Sequence, residues 1–265
     1  MATVKKGLCE AMNARIVGSG SKTMVLAYGY GCDQSIWDKI VPSLSTSFRV
    51  LVFDWSFSGA IKDKDLHDPL KYTSYDAFAG DLISLMDEMD IKSSVYVGHS
   101  MSGMIGCIAS ILRPDLFDKL VLLGASPRYL NTEDYEGGFT EVESMLSSMK
   151  QDYDAWTYSF SGMLVDAVDP ASVEAYRLCL ARMQPEVALS VAKIIFLGDY
   201  RKALEDVTVP CVFLQTKNDA AVPKSVGNYM KGKVKGKAEV VEVDASGHYP
   251  HLTASENLLL ALQPL

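Results

Sequence analysis

Short apolar runs rich in β-branched residues recur along the chain, separated by longer stretches with helical spacing. Met24-Val25-Leu26-Ala27, Val50-Leu51-Val52-Phe53, Val95-Tyr96-Val97 and Leu120-Val121-Leu122-Leu123 read as strands, and two more follow late, from Val209 to Thr216 and at Val240-Val241-Glu242-Val243. The runs are continuous rather than alternating, as in strands covered on both faces. Between them, Phe78, Leu82, Leu85, Met86 and Met89 form one apolar stripe of a helix laid against a sheet. The segment from Ser102 to Leu112 follows a strand at once and stops before Arg113-Pro114-Asp115, and Asn257 to Leu262 predicts a final helix. This alternation predicts an α/β fold with a mostly parallel, doubly wound sheet.

The rhythm breaks from about Tyr135 to Phe196. No buried strand is legible there, while Met145, Trp156, Tyr158, Phe160, Met163 and Met183 give a helical block rich in aromatics and methionine. Ordinary crossovers are far shorter, so the pattern predicts a helical lid over 135–196 inserted into a core made of 1–134 and 197–265. The simpler alternative is two or three extra crossover helices.

Composition narrows the function. A chain of 265 residues with 48% hydrophobic and 22% charged positions suits one folded α/β unit carrying an insertion. Its net charge is −8, and the alternating Lys231, Lys233, Lys235 and Lys237 read as a solvated turn, so nucleic acid is not an expected partner. No stretch approaches the roughly 18 apolar residues of a membrane span, and Met1–Gly7 lacks the apolar core of a secretion signal. The five cysteines (9, 32, 107, 179 and 211) form no CxxC pair and read as reduced core fillers; with the histidines at 67, 99, 248 and 251, no metal or cofactor site is expected.

The densest chemical signal is Val95-Tyr96-Val97-Gly98-His99-Ser100-Met101-Ser102-Gly103. It sets Ser100 between a buried strand and a helix, with small residues on either side. A nucleophile elbow needs that arrangement, because the turn is so tight that strand and helix nearly touch. The last position is Ser102 where GxSxG would have glycine. An ordinary N-capping serine is the competing reading.

A serine hydroxyl needs a base, and on this fold the acid and the histidine follow in that order. His248 lies just after the last strand and is favoured over His251, which enters the final helix, His99, whose side chain should point away into a supporting hydrogen bond, and His67 in a charged loop. Asp219 stands at the exit of the preceding strand, with Asp244 as a rival; either could instead cap a turn. The glycine-rich Ala27-Tyr28-Gly29-Tyr30-Gly31 places the Tyr30 amide beside that of Met101 as an oxyanion hole.

Together these residues resemble the α/β-hydrolase superfamily and, within it, the plant karrikin- and strigolactone-receptor group, closest to the karrikin-receptor-like branch. The similar segments are Tyr28-Gly29-Tyr30-Gly31-Cys32-Asp33-Gln34-Ser35-Ile36-Trp37, the elbow with Met104-Ile105-Gly106, Ala125-Ser126-Pro127-Arg128-Tyr129 and Gly137-Gly138-Phe139. The resemblance implies a receptor that is also a slow serine hydrolase, cleaving or covalently trapping a butenolide through Ser100, His248 and Asp219. Tyr28, Phe139, Trp156 and Phe160 would contact the ligand. A monomer is expected, in cytoplasm and nucleus, with a leucine-rich-repeat F-box protein and a repressor as partners. Tyr28 stands where the group usually has histidine, Tyr30 where it has phenylalanine and Met101 where it has valine; Trp55-Ser56-Phe57-Ser58-Gly59 is bulkier than the usual turn, and the lid after Phe139 is two residues shorter. Added bulk and hydroxyls imply a smaller or more polar pocket. A metabolic carboxylesterase or a lyase on the same scaffold is the alternative.

Overall fold

The computed structural model describes residues 7–263; of Met1–Gly7, expected to lack a secretion signal, only Gly7 lies within them, and the outer ends of the predicted core segments lie outside. In chain order the strands are β1 (Arg15–Val17), β2 (Lys22–Ala27), β3 (Phe48–Val52), β4 (Ser94–His99), β5 (Phe117–Leu123), β6 (Cys211–Lys217) and β7 (Ala238–Ser246). The helices are α1 (Leu8–Ala11), α2 (Val41–Leu44), α3 (Tyr75–Glu88), α4 (Met101–Leu112), α5 (Glu143–Gln151), α6 (Tyr153–Leu164), α7 (Pro170–Ala181), α8 (Pro185–Leu197), α9 (Lys224–Lys233), α10 (Pro250–Thr253) and α11 (Ser255–Leu262).

The strands form one sheet in the order β1-β3-β2-β4-β5-β6-β7. All neighbours are parallel except β1, which pairs antiparallel with β3 at the edge. The mostly parallel sheet expected from the apolar runs is therefore present. The central register sets Leu26 beside Val97, Val97 beside Val121 and Val121 beside Val212, and all four are buried. Helix α3 buries Phe78, Leu82, Leu85 and Met86, four members of the predicted stripe, while Met89 falls just past its end. Between β5 and β6 the chain leaves the sheet for α5–α8, the helical insertion.

Parallel strands bring all their C-terminal ends to one edge, so loops far apart in sequence meet there. The turns after β2, β4, β5, β6 and β7 carry Tyr30, Ser100, Tyr129, Asp219 and His248. The insertion starts from that same edge and covers it.

Candidate active site

Ser100 sits at φ 57°, ψ −127°, in the left-handed half of backbone space that a residue with a Cβ enters at a cost of roughly 1–3 kcal/mol. The surroundings fix it there. Its amide donates to Leu123 O at 2.9 Å, continuing the β4–β5 ladder, while Gly103 N donates to Ser100 O at 2.9 Å as α4 begins. A Cβ on Gly98 would stand 2.6 Å from Ser102 O and 2.8 Å from Gly103 N, so only glycine allows strand and helix this close. Ser102 is tolerated because its hydroxyl is fully used, accepting from Trp55 Nε1 at 3.0 Å and donating to Tyr28 O. That pairing accounts for the serine at the usual glycine position and for the bulky Trp55 together.

The Ser100 hydroxyl does not cap α4; it meets the Tyr129 hydroxyl at 3.2 Å. The competing N-cap reading thus fails on geometry. Across the cavity, His248 Nδ1 lies 2.7 Å from Asp219 Oδ2, with both side chains almost wholly buried. The other carboxylate oxygen accepts from the amides of Ala221 (2.8 Å) and Val222 (3.1 Å), so Asp219 caps its turn and meets the histidine at once. Gly124, at φ +53°, leaves just enough room beneath the pair: a Cβ there would lie 3.2 Å from His248 Cε1. The rival Asp244 is exposed and pairs with Lys217 at 2.7 Å.

The other histidines are placed by the same packing. His99 is fully buried under the site, accepting from Gly29 N at Nδ1 (3.3 Å) and meeting His248 O with Nε2 (2.9 Å), as expected of a supporting residue. His251 is also fully buried, with neither ring nitrogen partnered, and burial chiefly pushes its pKa down to about 3. His67 does lie in a charged loop, yet its ring is buried, stacked on Tyr72 at 4.5 Å and bonded to Ser56 Oγ at 3.2 Å. Burial lowers its pKa to about 4.

Ser100 and His248 line one small cavity together with Tyr30, Tyr129, Phe139 and Phe160, closed by Leu164, Tyr176, Ile195 and Phe196 of the insertion. The space is about 20 Å³, room for little more than a water molecule. Two of the four expected ligand contacts, Phe139 and Phe160, lie on it, whereas Tyr28 and Trp156 do not. The Tyr28 hydroxyl is drawn away towards buried Asp54 (3.2 Å) and the Trp55 amide (2.8 Å), and Trp156 stacks behind Phe160 at 4.5 Å.

Tyr30 ties the insertion to this floor. Its hydroxyl donates to Ala188 O in α8 (2.9 Å), and its carbonyl accepts from the hydroxyls of Tyr176 in α7 (3.2 Å) and Tyr249 (3.3 Å). Burial raises the pKa of all three phenols well above the usual value, so they are neutral donors. Gly29 lets this loop touch the elbow: a Cβ on it would be 2.7 Å from that of Ser100. Met101 opens α4 next to the serine, its side chain fully buried.

Tyr129 was not singled out from sequence, although it lies in the run after β5. What brings it to Ser100 is a turn in which Asn131 Oδ1 accepts from the amides of Gly137 (2.8 Å) and Gly138 (3.0 Å), returning Phe139 N to Tyr129 O at 3.0 Å. Among the described residues no group of three or more His, Cys, Asp or Glu side chains is placed to hold a metal, and no helix is long and apolar enough to cross a membrane.

Known proteins resemble this chain over nearly its whole length. Residues 24–259 match the Alpha/beta hydrolase family. A strigolactone esterase of Pisum sativum is 41% identical over 97% of both chains, and a karrikin insensitive receptor of Petunia hybrida is 41% identical over 90% of this chain and 88% of its own. These identities do not separate the two groups of relatives. Among solved structures, a hydrolase of Oleispira antarctica superimposes with a TM-score of 0.92 at 29% identity, covering 98% of each chain. The strained serine turn on a mostly parallel sheet and the match from strand β2 to helix α11 agree, and the chain belongs to the alpha/beta hydrolase family.

Proposed function

We propose that this protein is a slow serine hydrolase of esters or lactones that serves as a butenolide receptor. The observation that carries the reading is the shared cavity, in which Ser100 and an Asp219-held His248 face the same space. In the proposed reaction the Ser100 hydroxyl adds to the substrate carbonyl while its proton passes to His248 Nε2. Asp219 accepts from Nδ1–H, fixing the tautomer that leaves Nε2 free and balancing the imidazolium. The amides of Tyr30 and Met101 receive the oxyanion, with removal of one such donor worth about 3 kcal/mol in a related chemistry. As the tetrahedral adduct collapses, the leaving oxygen takes the proton back from His248. Water, deprotonated by the same base, then frees the acyl group from Ser100.

The receptor part rests on the closed cavity. A butenolide carries a five-membered ring with its carbonyl, whereas the space beside Ser100 holds little more than a water molecule. Binding therefore has to displace α6–α8, whose side chains close the site, and the moved surface is what a partner would read. An F-box protein of the leucine-rich-repeat type and a repressor, in cytoplasm and nucleus, are the partners this reading implies. The relatives described as strigolactone esterases and karrikin insensitive receptors support it. A metabolic esterase would share the chemistry but turn over quickly.

The test pairs two measurements. Ser100→Ala should abolish hydrolysis of p-nitrophenyl acetate with the fold intact; equal rates in both proteins would end the hydrolase reading. Intact-protein mass spectrometry after exposure to a butenolide panel, with melting curves alongside, should show a covalent adduct or a dose-dependent shift. Neither across both stereochemical series would defeat the receptor reading.

A further inference from the structure

His99 is buried, carries no solvent-facing atom of consequence and takes no part in the chemistry just described. Its two nitrogens are nevertheless both engaged, each with a different piece of the site. Gly29 N–H points at Nδ1 from 3.3 Å, so Nδ1 carries no proton. The ring's hydrogen is then on Nε2, which donates to the His248 carbonyl at 2.9 Å. One neutral ring thus joins the loop that carries Tyr30 to the loop that carries His248, 149 residues away from His99 in sequence. The opposite side of the His248 backbone is held as well, its amide donating to Leu164 O at the end of α6 (2.8 Å).

We propose that His99, resting on the hydrolase reading above, is a positioning residue whose neutral Nε2–H tautomer sets the Gly29–Tyr30 peptide and the His248 backbone in register with the serine next to it. The geometry leaves few substitutes. Gly29 approaches so closely that a Cβ on it would be 2.9 Å from Nδ1, so the ring packs directly under the loop. Rings of His248 (4.8 Å), Tyr249 (4.8 Å) and His251 (4.6 Å) hold its plane from three sides. Protonation would replace the Nδ1 acceptor with a second donor facing the Gly29 N–H, breaking the connection on that side. Burial first, then the neighbouring His251 and His248, keep the ring neutral.

The two connections can be separated. The side-chain oxygen of Asn is as many bonds from Cα as Nδ1, and the side-chain nitrogen of Gln as many as Nε2. His99→Asn therefore keeps an acceptor for Gly29, His99→Gln keeps a donor for His248 O, and His99→Phe keeps neither. With p-nitrophenyl acetate at pH 7, His99→Phe should lose on the order of 100-fold in kcat with KM changed less than about threefold, the cost of a small misplacement of reacting groups. His99→Asn and His99→Gln should each recover part of that loss. All three matching the parent, or all three equally impaired with a parallel fall in melting temperature, would overturn the proposal.

A nitrogen-15 correlation spectrum of the unmodified protein supplies a readout that needs no variant. It should show one histidine as neutral with its proton on Nε2, assigned to His99 by loss of the signal in His99→Gln or by sequential assignment. A proton on Nδ1 would overturn the proposal whatever the kinetics. Ser100→Ala measured in parallel keeps the two ideas apart: if it remains active the hydrolase reading fails, while the tautomer still decides the structural role of His99.

Discussion

Asp219→Asn separates chemistry from stability at this site. The carboxylate divides its labour, with Oδ1 accepting from the amides of Ala221 and Val222 and Oδ2 facing His248 Nδ1 at 2.7 Å. The substituted amide can keep its oxygen on the two backbone donors, which turns its NH₂ towards the imidazole. Nδ1 must then accept, so the ring proton moves to Nε2, where a base for Ser100 is needed. The same change in a serine protease costs roughly ten-thousand-fold in turnover with the geometry intact, which is about 5.5 kcal/mol of transition-state stabilisation. Asp219→Ala is the contrast, because it also strands the two buried amides at about 1–3 kcal/mol each. On a chain of this size each kcal/mol lowers the melting temperature by roughly 2–4 °C. Hydrolysis of p-nitrophenyl acetate and thermal melting of both variants make the test. The asparagine variant should be nearly dead and nearly as stable as the parent, and the alanine variant dead and several degrees less stable. An asparagine variant within tenfold of parental turnover would refute the tautomer argument, and an alanine variant melting with the parent would refute the capping argument.

Gly124→Ala should lower turnover more than stability: its φ of +53° costs an alanine about 1 kcal/mol, and the new methyl would press on His248 at 3.2 Å. Parental turnover in that variant would mean the pair has slack that the packing does not suggest. His251→Leu should flatten the acid side of the stability profile. Burial holds the native ring's pKa near 3, against about 6.5 when unfolded. The unfolded chain therefore binds the extra proton between those values, and stability that is fully present above pH 6.5 is lost as pH falls towards 3. The slope from this ring approaches about 1.4 kcal/mol per pH unit. Urea unfolding at pH 7 and pH 5 in parent and variant measures it, and identical slopes would show that His251 does not titrate as the burial argues.

The sheet was legible because its strands are buried on both faces and announce themselves as apolar runs. Strand β1 was not, since Arg15-Ile16-Val17 is three residues long, lies at the edge and is nowhere fully buried. Ser100, Asp219 and His248 could be nominated because each sits at a strand exit, and parallel strands deliver their exits to one edge. The pocket wall was less readable. Tyr129 reaches Ser100 only through a turn closed by Asn131, Gly137 and Gly138, a contact with no local period. Tyr28 was nominated for the ligand, but buried Asp54, which also accepts from Asn13, Gln34 and the Gln34 amide, takes its hydroxyl instead. His67 lies among charged neighbours in sequence, yet Tyr72 and Phe78 make an aromatic shelf for it. Burial of a polar ring depends on partners that come from elsewhere in the chain.

The way the insertion is fastened bears directly on how binding and chemistry are joined. It could have rested on the core through side chains remote from the serine, in which case opening would leave the reacting groups untouched. Some of its hydrogen bonds do reach other parts of the core, from Arg182 and Cys179 to Asp33 and from Ser172 to Leu252 O, but three end on the site residues themselves. Helix α6 accepts the His248 amide through Leu164 O, α7 donates to the Tyr30 carbonyl through Tyr176, and α8 accepts the Tyr30 hydroxyl through Ala188 O. Moving these helices aside to admit a ligand releases the backbone of the proposed base and of a proposed oxyanion donor together. In the proposed reaction the site then works with this fastening loosened while a ligand occupies it, which accords with the slow hydrolysis proposed above and makes the displaced insertion of the acyl-enzyme the surface offered to a partner.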